Sequence, residues 1–190
     1  LTALLRWLCA PQSNLPALKG STMNKPFAII LCKFADDNSE PYSLDFYRDL
    51  FTATGSGQMN MVDYFRDMSH GRIDISGTTV FGWHTLKQKS TDYVGSGANP
   101  AGRSDLLTWA KTAEPLHSTF TSVVIITNIG GDLFGSPSGV VTNDGRWPNG
   151  MSSLSHSLLG HEMGHGLGLN HARREGSQAD YTDPYDVMSV

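Results

Sequence analysis

An α/β sandwich built on a mostly parallel sheet is the fold class this sequence predicts. Two short apolar runs, Phe27–Leu31 and the segment Ser122–Thr127 centred on Val123–Ile126, have the pattern of strands buried on both faces. Segments with helical spacing of apolar residues lie between them, and strands alternating with helices favour parallel pairing through helical crossovers. The 190 residues suit a single domain of ordinary size.

Taken in order, residues 1–25 show no period and contain Pro11 and Pro16, so they are expected as an arm ahead of a domain spanning 26–190. After the first strand, Ser43 is placed to cap a helix carrying Leu44, Tyr47, Leu50 and Phe51. A second helix begins after Asn60 and presents Met61, Tyr64, Phe65 and Met68 on one face, with Gly71 as its stop. Arg72–Ser76 and Thr78–Trp83 read as β-structure broken at Gly77. A third helix runs from about Ser104 towards Pro115, with Leu106, Leu107, Ala110 and Ala113 on one side. Between Gly130 and Gly150 the chain is rich in Gly, Pro, Asn and Ser, and its apolar pair Val140 and Val141 is expected to form an edge strand.

Charge and composition narrow the function. Apolar residues make up 39% and charged residues 17%, with a net charge of −4 and no basic run. That pattern excludes charge-driven disorder and argues against nucleic acid or an anionic membrane as partner. The longest clean apolar stretch, Pro26–Cys32, is far shorter than the roughly 18 residues of a membrane span. A start at Leu1, with no basic-then-apolar leader, is expected of a processed product or a fragment. Abundant Gly, Ser and Thr with scarce Lys fit a secreted protein, and no long exposed apolar stripe calls for an assembly, so a monomer is expected. Cys9 and Cys32 leave two readings open, a disulfide joining the arm to the first strand or buried thiols.

The segment Leu158–His171 carries the chemistry. His161, Glu162 and His165 spell H-E-x-x-H, and on a helix two residues four apart share a face, so both imidazoles can reach one ion. Glu162 is turned about 100° from His161, close enough to act as a base. Leu159, Met163 and Leu167 can bury one flank, while Gly160, Gly164 and Gly168 recur every four residues and imply close packing beside the metal face. Gly168 is placed to reverse the chain so that His171 returns to the first two histidines. Three neutral imidazoles leave one tetrahedral position of Zn²⁺ open, the arrangement of a catalytic site. His156 is turned off this face, and His70, His84 and His117 have no companions.

The run His161-Glu162-Met163-Gly164-His165-Gly166-Leu167-Gly168-Leu169-Asn170-His171 resembles the metzincin signature H-E-x-x-H-x-x-G-x-x-H at every fixed position. Asp183–Ser189, with Met188, resembles the methionine turn of the same zinc endopeptidases. Within that family the motifs are most similar to the gametolysin-like branch, and Phe65-x-x-Met68-Ser69-His70-Gly71-Arg72 with Gly82-Trp83 to the immune-inhibitor-A-like peptidases. The resemblance implies an α+β zincin-like fold with an antiparallel edge strand, an upper subdomain (26–168) and a small C-terminal subdomain (169–190). It implies Zn²⁺ on His161, His165 and His171, Glu162 as general base, Met188 as an apolar floor, and a protein or peptide substrate paired with an edge strand at Val140 and Val141. Val190 stands where astacins and serralysins carry a tyrosine ligand, which leaves Tyr181 and Tyr185 as transition-state donors. It also suggests a third reading of Cys9, as a remnant of an inhibitory pro-segment. Structural Ca²⁺ has candidate ligands in Asp36, Asp37, Asp132 and Asp144, without a recognisable spacing. Two alternatives stay open: a non-proteolytic or latent zinc-binding module, and a zinc hydrolase of non-peptide amides.

Overall fold

The computed structural model describes residues 21–55, 60–93, 100–129, 132–143, 153–183 and 186–189. Most of the expected arm, with Cys9, lies outside them, as do Asp144, Tyr185 and Val190. The chain is a mixed α/β structure in which a five-stranded sheet separates two helical layers. Strands β2 (Phe27–Lys33) and β5 (Ser122–Thr127) are buried along their whole length, as their apolar runs require. They pair in parallel, with Phe27 opposite Ser122 and Leu31 opposite Ile126. Strand β4 (Thr79–Thr85) adds in parallel on the other side of β2. The short β1 (Met23–Asn24) pairs in parallel with β3 (Ile73–Asp74), so the end of the expected arm is tied to the domain.

The remaining two strands correct an expectation. β6 (Phe134–Ser136) and β7 (Gly139–Thr142) form an antiparallel hairpin, and the sheet order is β4-β2-β5-β7-β6. Val140 and Val141 therefore lie inside the sheet, between β5 and β6, and are fully buried. They cannot pair with a substrate, because both sides of their backbone are already engaged. The edge on that side is β6, whose residues are half-buried.

Local capping sets the helices. In α1 (Leu44–Thr52) the Ser43 side chain accepts from the Phe46 N–H, and in α2 (Met61–Met68) Asn60 accepts from the Asp63 N–H. Tyr47, Phe51 and Met61 are fully buried, but Met68 at the end of its stripe is 52% exposed. α3 (Pro100–Ala113) starts earlier than expected, with a proline in its first position, where no N–H is needed. α4 (His156–Gly166) carries His161, Glu162 and His165.

Side chains alternate along the strands and divide the core. Phe27, Ile29, Leu31, Val124 and Ile126 face α1, α2 and α4, whereas Ala28, Ile30, Cys32, Val123 and Ile125 face α3. Cys32 is a fully buried free thiol, and burial pushes its pKa up to about 12. Among the described residues no helix is long and apolar enough to cross a membrane.

Candidate metal centre

Helix α4 lies on the sheet through Leu159 and Met163, both fully buried, and this packing fixes which way its other faces point. His161 and His165 sit one turn apart on a neighbouring face. The helix closes with the Leu167 and Leu169 N–H groups donating to Gly164 O, each at 3.0 Å. Gly168 takes φ +89°, a left-handed residue that reverses the chain. His171 then returns, and the metal-binding nitrogens of His161, His165 and His171 lie within 4.8 Å of one another. These three histidines are close enough to bind one metal ion.

Their ring orientations strengthen that statement. His161 Nδ1 donates to Val187 O at 3.0 Å, and His165 Nδ1 donates to Leu169 O at 2.8 Å. A carbonyl oxygen can only accept, so both hydrogens sit on Nδ1 and both Nε2 atoms present bare lone pairs. Those two Nε2 atoms are 3.1 Å apart. Two facing lone pairs at this distance repel unless a cation lies between them. His171 follows the same pattern, with Nδ1 against Asp180 Oδ2 at 3.3 Å and Nε2 accepting from the Tyr181 hydroxyl at 2.6 Å. Burial holds the His161 pKa below its ordinary value, favouring the neutral, ligating imidazole. The donor set thus fits a divalent metal that accepts nitrogen ligands.

Glu162, next to His161 on the helix, lies against β6. Burial pushes its pKa up to about 7; the nearby Arg103 charge lowers it and Asp132 raises it. The strand approaches so closely that a Cβ at Gly135 would fall 2.8 Å from Glu162 Oε2. The two of the regularly spaced glycines that lie in α4 have a similar reason. Gly160 accommodates the Tyr64 ring, and a Cβ at Gly164 would meet Met188 Sδ at 2.6 Å. Met188 is buried beneath the helix, held by its N–H on Asp186 Oδ1 at 2.8 Å and by its carbonyl, which accepts from the Ala172 N–H at 3.0 Å. The chain beside His171 is thereby tied to the turn under the histidines.

Other expected residues fall elsewhere. His156 lies against Tyr64, with ring centroids 6.1 Å apart, and is outside the cluster. His84 faces Glu114, and His117 bonds the Glu114 carbonyl. Of the acidic residues expected to hold Ca²⁺, the three that are described, Asp36, Asp37 and Asp132, do not form a metal-binding group. Asp36 accepts from Ser90, Asp37 accepts from Ser39, and both carboxylate oxygens of Asp132 are taken by Arg103. Among the described residues, the three histidines are the only group of metal-binding side chains this close.

Sequence spacing did not single out Asp180, which orients His171 and is itself held by Arg173 Nε at 2.6 Å. Hydrogen bonds from Arg173 and His171 keep its carboxyl below the usual range, hence ionised. A carboxylate behind a ligating imidazole fixes the ring and raises its basicity. Asp180→Ala is expected to weaken metal binding about 10–100-fold, read by competition with a chromophoric chelator; unchanged affinity would remove Asp180 from the site.

A cavity of about 480 Å³ beside the cluster is lined by His165, Asn170, His171, Arg173 and Asp180. No family model matches the chain, and no curated protein matches it.

Proposed function

We propose that the chain is a zinc-dependent endopeptidase of the metzincin type, acting outside the cell on protein or peptide substrates. The observation that carries this reading is the pair of bare Nε2 atoms, 3.1 Å apart on one helix, with Glu162 on the same helix beside them. Three imidazoles without a cysteine suit zinc in a catalytic rather than a closed structural site. Zn²⁺ bound there would polarise a scissile carbonyl and lower the pKa of water towards 7.

The chain's own residues supply the rest. His161, His165 and His171 hold the ion, each oriented by an acceptor at its Nδ1. Glu162, its pKa raised to about 7, takes the proton from the attacking water and passes it to the leaving amine. Tyr181 Oη, at 2.6 Å from His171 Nε2, is placed to donate to the carbonyl oxygen as it gains charge. Among the described residues no strand pairs with the side of β6 away from β7, and that side would offer backbone groups to an extended peptide, a mode of binding that makes few side-chain demands. Met188 forms an apolar floor and does not coordinate. A mostly parallel sheet with an antiparallel edge strand and a ligand-bearing helix supports the zincin-like reading.

The test is metal analysis of the purified chain together with hydrolysis of casein, gelatin and a panel of small amides, with and without a chelator. One zinc per chain and chelator-sensitive cleavage of the proteins are expected. Zinc at that stoichiometry with cleavage of small amides alone would reassign the substrate class, and zinc with no hydrolysis would make the chain a binding module.

A further inference from the structure

Arg103 belongs to α3, on the opposite side of the sheet from α4, yet it reaches the strand that covers Glu162. Its guanidinium grips Asp132 with two bonds, Nε to Oδ2 at 2.9 Å and Nη2 to Oδ1 at 2.7 Å. Both side chains are largely buried, 15% and 4% exposed, so the pair is shielded from water. Tyr93 Oη adds a third bond to Asp132 Oδ2 at 2.6 Å, and the Leu133 N–H adds a fourth to Oδ1 at 2.9 Å. The Asp132 carbonyl accepts from Asn143 Nδ2 at 2.9 Å. Arg103 Cζ also lies 4.4 Å from the centroid of the Phe134 ring, the first residue of β6.

A buried charge pair with this many bonds holds one geometry, because a paired carboxylate and guanidinium lose heavily if they separate in a shielded site. The element it holds is the edge strand, which among the described residues has a neighbour in the sheet on one side only. Two residues after Phe134 the strand leads into the β6–β7 turn, and at Gly135 it rests directly on the Glu162 backbone and carboxylate. The bonds to Asp132 and the stacking on Phe134 therefore anchor β6 immediately before the residue that touches Glu162.

We propose that Arg103 and Asp132 are positioning residues, a buried pair that links the two helical layers across the sheet edge and sets the height of β6 over Glu162. This role rests on the peptidase reading, since the height of β6 fixes where an extended substrate lies relative to the base. Neither residue touches substrate. Their contribution is to keep the β6 edge flat and at a constant distance from α4.

The test compares the zinc-loaded wild-type chain with Arg103→Met/Asp132→Leu, which removes the pair without stranding a buried charge, and with Arg103→Lys, which keeps the charge but loses the two-bond grip. Amide exchange at Leu133–Ser136 is expected to quicken about tenfold in the double variant, with α4 exchange unchanged. For a peptide substrate, KM should rise about tenfold while kcat stays within about threefold, the signature of lost substrate positioning with intact chemistry. Arg103→Lys should fall between the two, and zinc affinity should not move. Unchanged exchange in β6, or a lower active fraction at wild-type KM, would overturn the proposal. Should the zinc-loaded wild type cleave nothing, the peptidase reading fails by itself. Exchange then decides the clamp: quickening confined to β6 supports it, and unchanged exchange overturns it.

Discussion

Glu162→Gln is expected to reduce protein hydrolysis by about 10²–10⁴-fold while leaving one zinc per chain. The substitution keeps the size of the side chain and its place against Gly135, and it touches none of the three imidazoles, so the metal site should persist. It removes only the group that can accept a proton. A second readout is independent of turnover. In the metal-free chain burial raises the Glu162 pKa to about 7, above the unfolded value of about 4.5. The folded state therefore favours the protonated acid, and stability is lost as pH rises from the unfolded pKa through the folded one. Glutamine carries no such penalty. The metal-free variant should melt above the metal-free wild type at pH 8, and the gap should close towards pH 4. Hydrolysis at the wild-type rate would remove Glu162 from the chemistry, and a pH-independent gap would mean that its carboxyl is not desolvated.

What could be read in the sequence was local. The Ser43 and Asn60 caps, the buried runs at Phe27 and Val123, and the stop at Gly71 each depend on a few neighbouring residues, and the structure places all of them as expected. The approach of the three histidines was legible for the same reason. Helical spacing brings His161 and His165 together, and a single left-handed glycine brings back His171. Strand order was not legible, because a pair such as Val140 and Val141 has no pattern that distinguishes an edge from an interior strand. The supporting groups were hidden by distance along the chain. Asp132 stands among glycines and looks like a loop ligand for Ca²⁺, and only the fold shows that Arg103 and Tyr93 already occupy its carboxylate. Asp180 likewise has meaning only once the chain has turned back beside His171.

His161→Ala should abolish the response of folding to zinc. His161 is the most enclosed of the three ligands, 5% exposed, and its ring bridges the helix to the Met188 turn through Val187 O. A ligand that binds only the folded state adds about 4 kcal/mol at a thousand times its dissociation constant. For a chain of this length that corresponds to a rise in Tm of roughly 8–16 °C. With two imidazoles left, the site loses a third of its donors and most of that affinity, so saturating zinc should move the variant by no more than a degree or two. The baseline melt is a poor guide, because two effects oppose each other. Losing the ring leaves Val187 O without its donor, at a cost of about 1–3 kcal/mol. It also removes one of two lone pairs that face each other at 3.1 Å in the metal-free chain, which relieves repulsion. The zinc-induced shift cancels both, since each is present with and without the metal in the variant. A full shift in His161→Ala would mean that zinc binds elsewhere, and loss of the shift in His165→Ala and His171→Ala as well would place the ion among all three rings.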